Sequence, residues 1–270
     1  MPGSFTKRTF ELQTNGDSAL DIRFADAPGP DLSETIIALA QAIESASIPG
    51  VTELIPAYQC LTVCFDLLQL PDDGAGTQRL VDILNELVRV QLTQPSPVAG
   101  PRYQIKIPVC YAPEFAPDMQ ALSNHVGLPA DQVIRRHSAT DYLVHMLGFT
   151  PGFLYLGGLD RQLHCPRKDR PTLNVPAGSV GIGGGQTGIY PQQTPGGWQI
   201  IGRTPLALFR PQRDPAFIAR PLDRIRFVAI SAQQFAETDP FAEPEKIPID
   251  TAETDLANAG NIQKSRGARR

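Results

Sequence analysis

Few residues in this chain combine a reactive type with a suggestive position, and His137 is the foremost. It follows Arg135 and Arg136 at the end of a predicted helix and stands just before a predicted strand, where side chains often face a cleft. Such a histidine can act as a general acid or base; equally, one in the last helical turn is a capping cation favoured by the helix dipole. Arg167, Lys168 and Arg170 cluster in a loop ahead of an uncharged stretch. Arginine there can grip a carboxylate or phosphate with a two-pronged hydrogen bond, the plainer alternative being a solvated basic loop. Tyr155, Tyr190 and Trp198 can line a groove or fill a core. Together, His137 as the catalytic member and Arg167, Gln186, Thr187 and Tyr190 as substrate-binding members supply a base, a cation, an amide, a hydroxyl and a phenol. That set suits a small polar ligand in a glycine-walled pocket at one face of the fold.

Several standard chemistries are excluded. Gly183-x-Gly185-x-x-Gly188 spells the dinucleotide fingerprint, but the motif must open a helix, and Pro191 and Pro195 forbid one. No Gly-Lys-Ser/Thr follows any glycine run, so a P-loop is absent. Ala177-Gly178-Ser179-Val180-Gly181 misses the hydrolase elbow, and all four histidines (125, 137, 145, 164) precede it, whereas that fold needs one downstream. The histidines and four cysteines make no metal-ligand spacing, so no metal is assigned, and the thiols read as reduced. A net charge of −4 gives no general attraction for nucleic acid or an anionic membrane, no apolar run is long enough to span one, and the N-terminus lacks a secretory pattern. A cytoplasmic address is the expectation.

The elements that must position these residues fall into two groups. Phe10 and Leu12, then Leu20, Ile22 and Phe24, alternate on either side of Asn15-Gly16 and predict a hairpin. Ile36, Leu39, Ala40 and Ile43 recur at helical spacing, with Asp31 and Glu34 as a capping box. A second strand pair fits 51–58 and 60–68, and after a loop at 72–76 a helix carries Leu80, Leu84, Leu87 and Val88. The order is β-β-α-β-β-α, an α+β unit over residues 1–95. Three prolines within 93–101 mark a linker. Beyond it, strands are predicted at 103–109, 141–147, 153–156, 196–201, 205–209 and 224–230, with short helices at 117–126 and 129–137, at spacings that suit a barrel or sandwich over 96–235. Between Pro171 and Gly202 there is no charged residue, and 9 of 32 residues are glycine; the many large apolar residues among them predict an ordered surface with backbone N–H groups open to a ligand. Residues 236–270 are acidic, then basic, and are expected to form a solvated tail.

The strings Gly148-Phe-Thr-Pro-Gly-Phe-Leu-Tyr-Leu-Gly-Gly-Leu159, Val175-Pro-Ala-Gly-Ser-Val-Gly-Ile-Gly-Gly-Gly-Gln-Thr-Gly-Ile-Tyr-Pro191 and Pro195-Gly-Gly-Trp-Gln-Ile-Ile-Gly-Arg-Thr-Pro205 resemble the family of the 5-oxoprolinase B subunit, also called allophanate hydrolase subunit 1 or the Kip inhibitor family. The resemblance runs from about residue 5 to about 235. It implies the α+β N-terminal domain followed by a cyclophilin-like β-barrel domain. It also implies a component of an ATP-dependent amidohydrolase that opens the lactam of 5-oxo-L-proline to L-glutamate, together with 5-oxoprolinase partners of the A and C types. ATP is then used by the complex, with no site recognised in this chain, and the chain alone is expected to be inactive. Two other readings follow from the same resemblance: a component acting on allophanate or urea, related to carboxyltransferases, and a binding module that inhibits a sensor histidine kinase.

Overall fold

The Asn15-Gly16 turn joins two strands as its sequence demands, with Gly16 at φ 71°, a left-handed conformation natural to glycine. In the computed structural model, which describes residues 8–70 and 76–249, β1 (Phe10–Thr14) pairs antiparallel with β2 (Ala19–Phe24), Leu12 opposite Ile22. Helix α1 (Pro30–Ser45) follows, then β3 (Val51–Pro56), β4 (Cys60–Phe65) and α2 (Gly76–Thr93), and the sheet order is β1-β2-β4-β3. Alternation on β2 and β4 turns Leu20, Ile22, Leu61 and Val63 to one face, where Ile36 and Leu39 of α1 and Leu80 and Leu84 of α2 cover them to form one hydrophobic core. The expected capping box does not form: α1 starts at Pro30 behind Gly29, and Glu34 instead pairs with Arg102 at 2.7 Å. Most of the loop expected at 72–76 lies outside the described residues.

The second core is a closed barrel. Its chain order is β5 (Tyr103–Cys110), α3 (Met119–Val126), α4 (Ala130–Ser138), β6 (Asp141–Leu147), β7 (Leu154–Gly157), β8 (Thr172–Val175), β9 (Ser179–Gly183), β10 (Gln186–Ile189), β11 (Thr194–Gly196), β12 (Gln199–Arg203) and β13 (Arg224–Ile230). Seven strands close in the order β12-β9-β10-β7-β6-β13-β5, and the ring shuts where Arg203 of β12 meets Cys110 of β5. Closure removes the exposed edges that an open sheet of this size would present. Ile105, Ile107, Val144, Leu154, Leu156, Val180, Ile182, Ile189 and Phe227 fill the interior. The ribbon β8–β11 lies apart from the ring.

Three expectations change. The strand expected at 205–209 reduces to one bridge between Phe209 and Phe217, and the strand expected at 196–201 divides between β11 and β12. The tail expected from residue 236 is not a solvated one as far as 249: after α5 (Ala232–Glu237), strand β14 (Lys246–Pro248) pairs with β5, Lys106 holds Glu245 at 2.8 Å, and buried Arg210 holds Glu243 at 2.6 Å. Glu243 and Glu245 there dock on cations of the barrel while keeping much of their side chains in water. Residues 250–270 of the expected tail lie outside the described residues.

The glycine-rich segment is the wall of the barrel rather than a loop. Gly181 and Gly183 of β9 and Gly188 of β10 point outward, where Trp198 lies across the strands; a Cβ would stand 3.1, 2.7 and 3.0 Å from Trp198 atoms, respectively. Only hydrogen at those three positions lets the indole approach the backbone, leaving Trp198 4% exposed. Gly183→Ala should therefore overpack this face and cost about 1–3 kcal/mol in chemical denaturation. In a Trp198→Ala background the same substitution should cost far less, and equal costs in both backgrounds would contradict this packing.

Candidate functional site

Strand alternation divides the candidate residues into two sets. On β10, Thr187 and Ile189 point into the barrel, while Gln186 and Gly188 point out, and Tyr190, next in register, joins the outer set. His137 lies on the inner side. It projects from the buried face of α4 along with Val133, has no exposed surface, and stacks on Phe227 with ring centroids 4.5 Å apart. The expected convergence of His137 and Thr187 with Arg167, Gln186 and Tyr190 on one face does not occur, because neighbours along a strand alternate between faces.

Inside, a directed chain of hydrogen bonds links Tyr111, His137, Thr187 and the Gly181 carbonyl. The Thr187 hydroxyl donates to the Gly181 carbonyl at 2.9 Å, so its oxygen accepts the N–H at His137 Nε2, 3.0 Å away. His137 Nδ1 then accepts from the Tyr111 hydroxyl at 2.8 Å. This sequence of donors requires a neutral imidazole, and burial pushes the pKa of His137 down to about 3. Both expected roles of His137 are therefore corrected. With no exposed surface and both ring nitrogens engaged, it is not positioned to exchange a proton with a substrate, and it is not a capping cation; the Tyr142 hydroxyl donates to the His137 carbonyl at 2.8 Å instead. Thr187 is likewise committed and fully buried.

The outer set gathers around Trp198. Phe153 meets Trp198 and Tyr190 edge-on, with centroids 5.5 and 5.0 Å apart, and Tyr155 stands edge-on to Trp198 at 6.1 Å. Tyr190 itself stands edge-on to Trp198 at 6.5 Å, and Gly196 leaves room for its hydroxyl, since a Cβ there would lie 2.5 Å from it. The basic loop is pinned alongside by the Lys168 N–H, which donates to the Gly197 carbonyl at 2.7 Å. Its three cations differ. The Lys168 ammonium is spent on Asp118 at 2.7 Å and Thr172 at 2.8 Å. Arg170 is exposed. The Arg167 guanidinium lies over the Trp198 ring, 5.8 Å from its centroid, and has no hydrogen bond or ion pair among the described residues. An exposed arginine stacked on an indole, with no carboxylate partner among the described residues, has the chemistry of an anion site. Gln186 shares this outer face, and its side chain makes no hydrogen bond among the described residues.

Sequence reasoning missed the residues that reach this face from the first sheet. Tyr58, in the turn between β3 and β4, stands edge-on to Tyr155 at 6.0 Å and 5.1 Å from the ring of His145. Nδ1 of His145 shares a 2.7 Å hydrogen bond with Ser33 Oγ of α1, and the ring fits because residue 157 is glycine; a Cβ there would lie 2.1 Å from Nε2. No local pattern marks these contacts, which join residues 87 to 112 positions apart. As for nucleotides, the run Gly183–Gly188 is the β9–β10 hairpin and opens no helix, so it offers no cradle for a pyrophosphate. No group of three or more metal-ligating side chains exists among the described residues.

A neutral, buried His137 has a measurable consequence. Its folded pKa lies below the usual value near 6.5, so in acid the unfolded chain takes up a proton that the folded chain refuses. The contribution is constant above about pH 6.5, and stability falls by about 1.4 kcal/mol per pH unit as pH drops from there toward 3. His137→Gln should flatten the pH dependence of the unfolding free energy by one proton between pH 6 and 4, relative to the parent chain. Parallel curves would show that the histidine is charged in the fold.

Comparison with known proteins agrees with this architecture. Residues 10–219 match the family model described as carboxyltransferase domain, subdomain C and D. The chain is 40% identical to the 5-oxoprolinase B subunit of Bacillus subtilis over 230 residues, covering 84% of this chain and 95% of that protein. It is 45% identical to the 5-oxoprolinase B subunit of Escherichia coli O157:H7 over 190 residues, covering 70% and 82%. Among solved structures, TTHA0988 superimposes with a TM-score of 0.67 at 32% identity over 84% of this chain, which spans 41% of the TTHA0988 chain. Urea carboxylase of Kluyveromyces lactis superimposes with a TM-score of 0.75 over 98% of this chain and 26% of its own, and at 16% identity this likeness is one of fold. Identity this high over nearly the whole of a relative, joined to a family match over most of the chain, places this protein in the carboxyltransferase subdomain C and D family, the family of the 5-oxoprolinase B subunit.

Proposed function

We propose that the chain is the B subunit of a 5-oxoprolinase, which opens the lactam of 5-oxo-L-proline to L-glutamate in a complex with A-like and C-like partners. The observation that carries this reading is the 40–45% identity to proteins named as the B subunit of 5-oxoprolinase, extending over 95% of the Bacillus subtilis protein. The outer face supports it. 5-Oxoproline is a small amide with one carboxylate, and Arg167 is a cation without an acidic partner among the described residues, beside aromatic rings that can receive an apolar ring edge. In this reading Arg167 binds the carboxylate, with Tyr190 packed edge-on beside Trp198 and Gln186 on the same face.

A lactam is a resonance-stabilised amide, so its opening is coupled to ATP in the complex, which supplies the leaving group for attack by water. The glycine run of this chain does not fit a nucleotide, and no step through ATP is assigned to its residues. The role left to this chain is to bind and orient the substrate. The allophanate and urea reading rests on the likeness of fold to urea carboxylase, which carries no substrate with it.

The purified chain, mixed with its A-like and C-like partners, 5-oxo-L-proline and ATP, should release glutamate, and the chain alone should not. In the complex, Arg167→Ala should raise KM for 5-oxoproline about 10- to 100-fold, as expected when a charge-assisted hydrogen bond is lost. Oxoproline-dependent ADP release by the chain alone would contradict the need for partners, and an unchanged KM in Arg167→Ala would move the carboxylate elsewhere.

A further inference from the structure

We propose that β3 is the docking edge for a partner subunit, which adds to it an extended segment with apolar side chains at alternate positions and a lysine or arginine among them. The inference rests on the reading of the chain as one component of a 5-oxoprolinase complex. Strand β3 ends the first sheet: it pairs with β4, and no strand among the described residues covers its other edge. A free edge presents backbone donors and acceptors that an incoming strand can satisfy. Two hollows open to solvent flank it. One, of about 360 Å³, lies between β3 and α1, with Ile37, Ala40, Ile48, Val51 and Leu54 among its walls. The other, of about 410 Å³, lies between β3 and the 147–152 turn of the barrel, with Ile55, Phe149 and Phe217 among its walls. Leu54 belongs to the face packed on the core, and Ile55, next along the strand, to the opposite face. A strand laid along β3 alternates in the same way, so one set of its side chains enters the hollow at α1 and the other turns toward Phe149.

The walls are apolar where water is their present neighbour. Ile55 is 41% and Phe149 62% exposed, and Phe217 is exposed beside them. Phe149 sits at φ 67°, a left-handed conformation that costs a bulky residue, and the Thr150 N–H closes this turn on the Gly148 carbonyl at 2.8 Å. The ring is thus presented at the hollow by its own backbone. Charge decides between occupants. Glu44 and Glu53 border the first hollow and Glu53 also the second; both are exposed, neither has an ion pair among the described residues, and no lysine or arginine lines either hollow. A second copy paired antiparallel on β3 would bring Glu53 close to its own counterpart, and like charges facing across strands are destabilising. A segment carrying Lys or Arg meets two unpaired carboxylates instead, so the same residues that reject a second copy admit a different chain. In TTHA0988 the shared fold makes up 41% of the chain and is therefore joined to further protein.

The test follows backbone hydrogen exchange of residues 51–56 in the full chain alone and in its complex with the A-like and C-like partners. Amides of this strand that point away from β4 should exchange about tenfold more slowly, or slower still, in the complex. Glu44→Lys combined with Glu53→Lys should raise the Kd for the partners about tenfold, as should Phe149→Ala, and both variants should keep the melting temperature of the parent chain because these side chains are exposed. A complex that assembles and releases glutamate while residues 51–56 exchange as fast as in the chain alone, or while the variants bind as the parent does, would overturn this inference and leave the 5-oxoprolinase reading standing. Protection of 51–56 in the chain alone that grows with its concentration would assign the edge to a second copy, and protection independent of concentration would assign it to residues 250–270; either result overturns the partner segment. Absence of any binding between the parent chain and these partners would overturn the subunit reading and the inference with it.

Discussion

The outer face of the barrel is organised by one contact, the indole of Trp198 laid flat on strands that carry hydrogen where other residues carry Cβ. Gly181, Gly183 and Gly188 permit that approach, and Gly196 makes the matching room for the Tyr190 hydroxyl. Once the indole is seated, Phe153, Tyr155 and Tyr190 pack edge-on around it, and Arg167 finds its electron-rich face. A loop arginine would otherwise sample many rotamers in water. Here the ring and the backbone bond from Lys168 to Gly197 place it over the indole, which lowers the ordering cost when an anion arrives.

The interior obeys a different rule, complete satisfaction of a few buried polar groups. Tyr111, His137, Thr187 and the Gly181 carbonyl form one chain in which every donor has an acceptor, and only the neutral imidazole fits it. The two faces of β9 and β10 are thus linked by their backbone: Gly181 receives Thr187 inside and lies beneath Trp198 outside.

The first sheet and the barrel have separate cores, yet polar contacts bridge them. Arg102 pairs with Glu34, Ser33 with His145, and the ring of Tyr58 with Tyr155 and His145. These are specific contacts between polar or amphipathic side chains, suited to orienting one unit on the other while each supplies its own hydrophobic stability.

Local periodicity by itself determined most of the secondary structure. The hairpin at Asn15-Gly16, both helices of the first unit, the short helices before His137 and the strands at 103–110, 141–147 and 224–230 all follow from spacing of apolar residues and from turn chemistry, which act over a few residues. The order of the uncharged glycine segment was also legible there. Tertiary structure alone decided which residues share a face. The alternation of β10 separates Thr187 from Gln186 and Tyr190, and burial of α4 against the barrel makes His137 a neutral core residue; neither the side of a closed sheet nor the depth of a helix face is encoded in neighbouring letters. The acidic segment around Glu243 and Glu245 resembled a tail because its partners, Arg210 and Lys106, are more than 30 and 130 positions away. Tyr58 and Tyr155 lie nearly a hundred residues apart, and only closure of the barrel beside the first sheet brings their hydroxyl-bearing rings together.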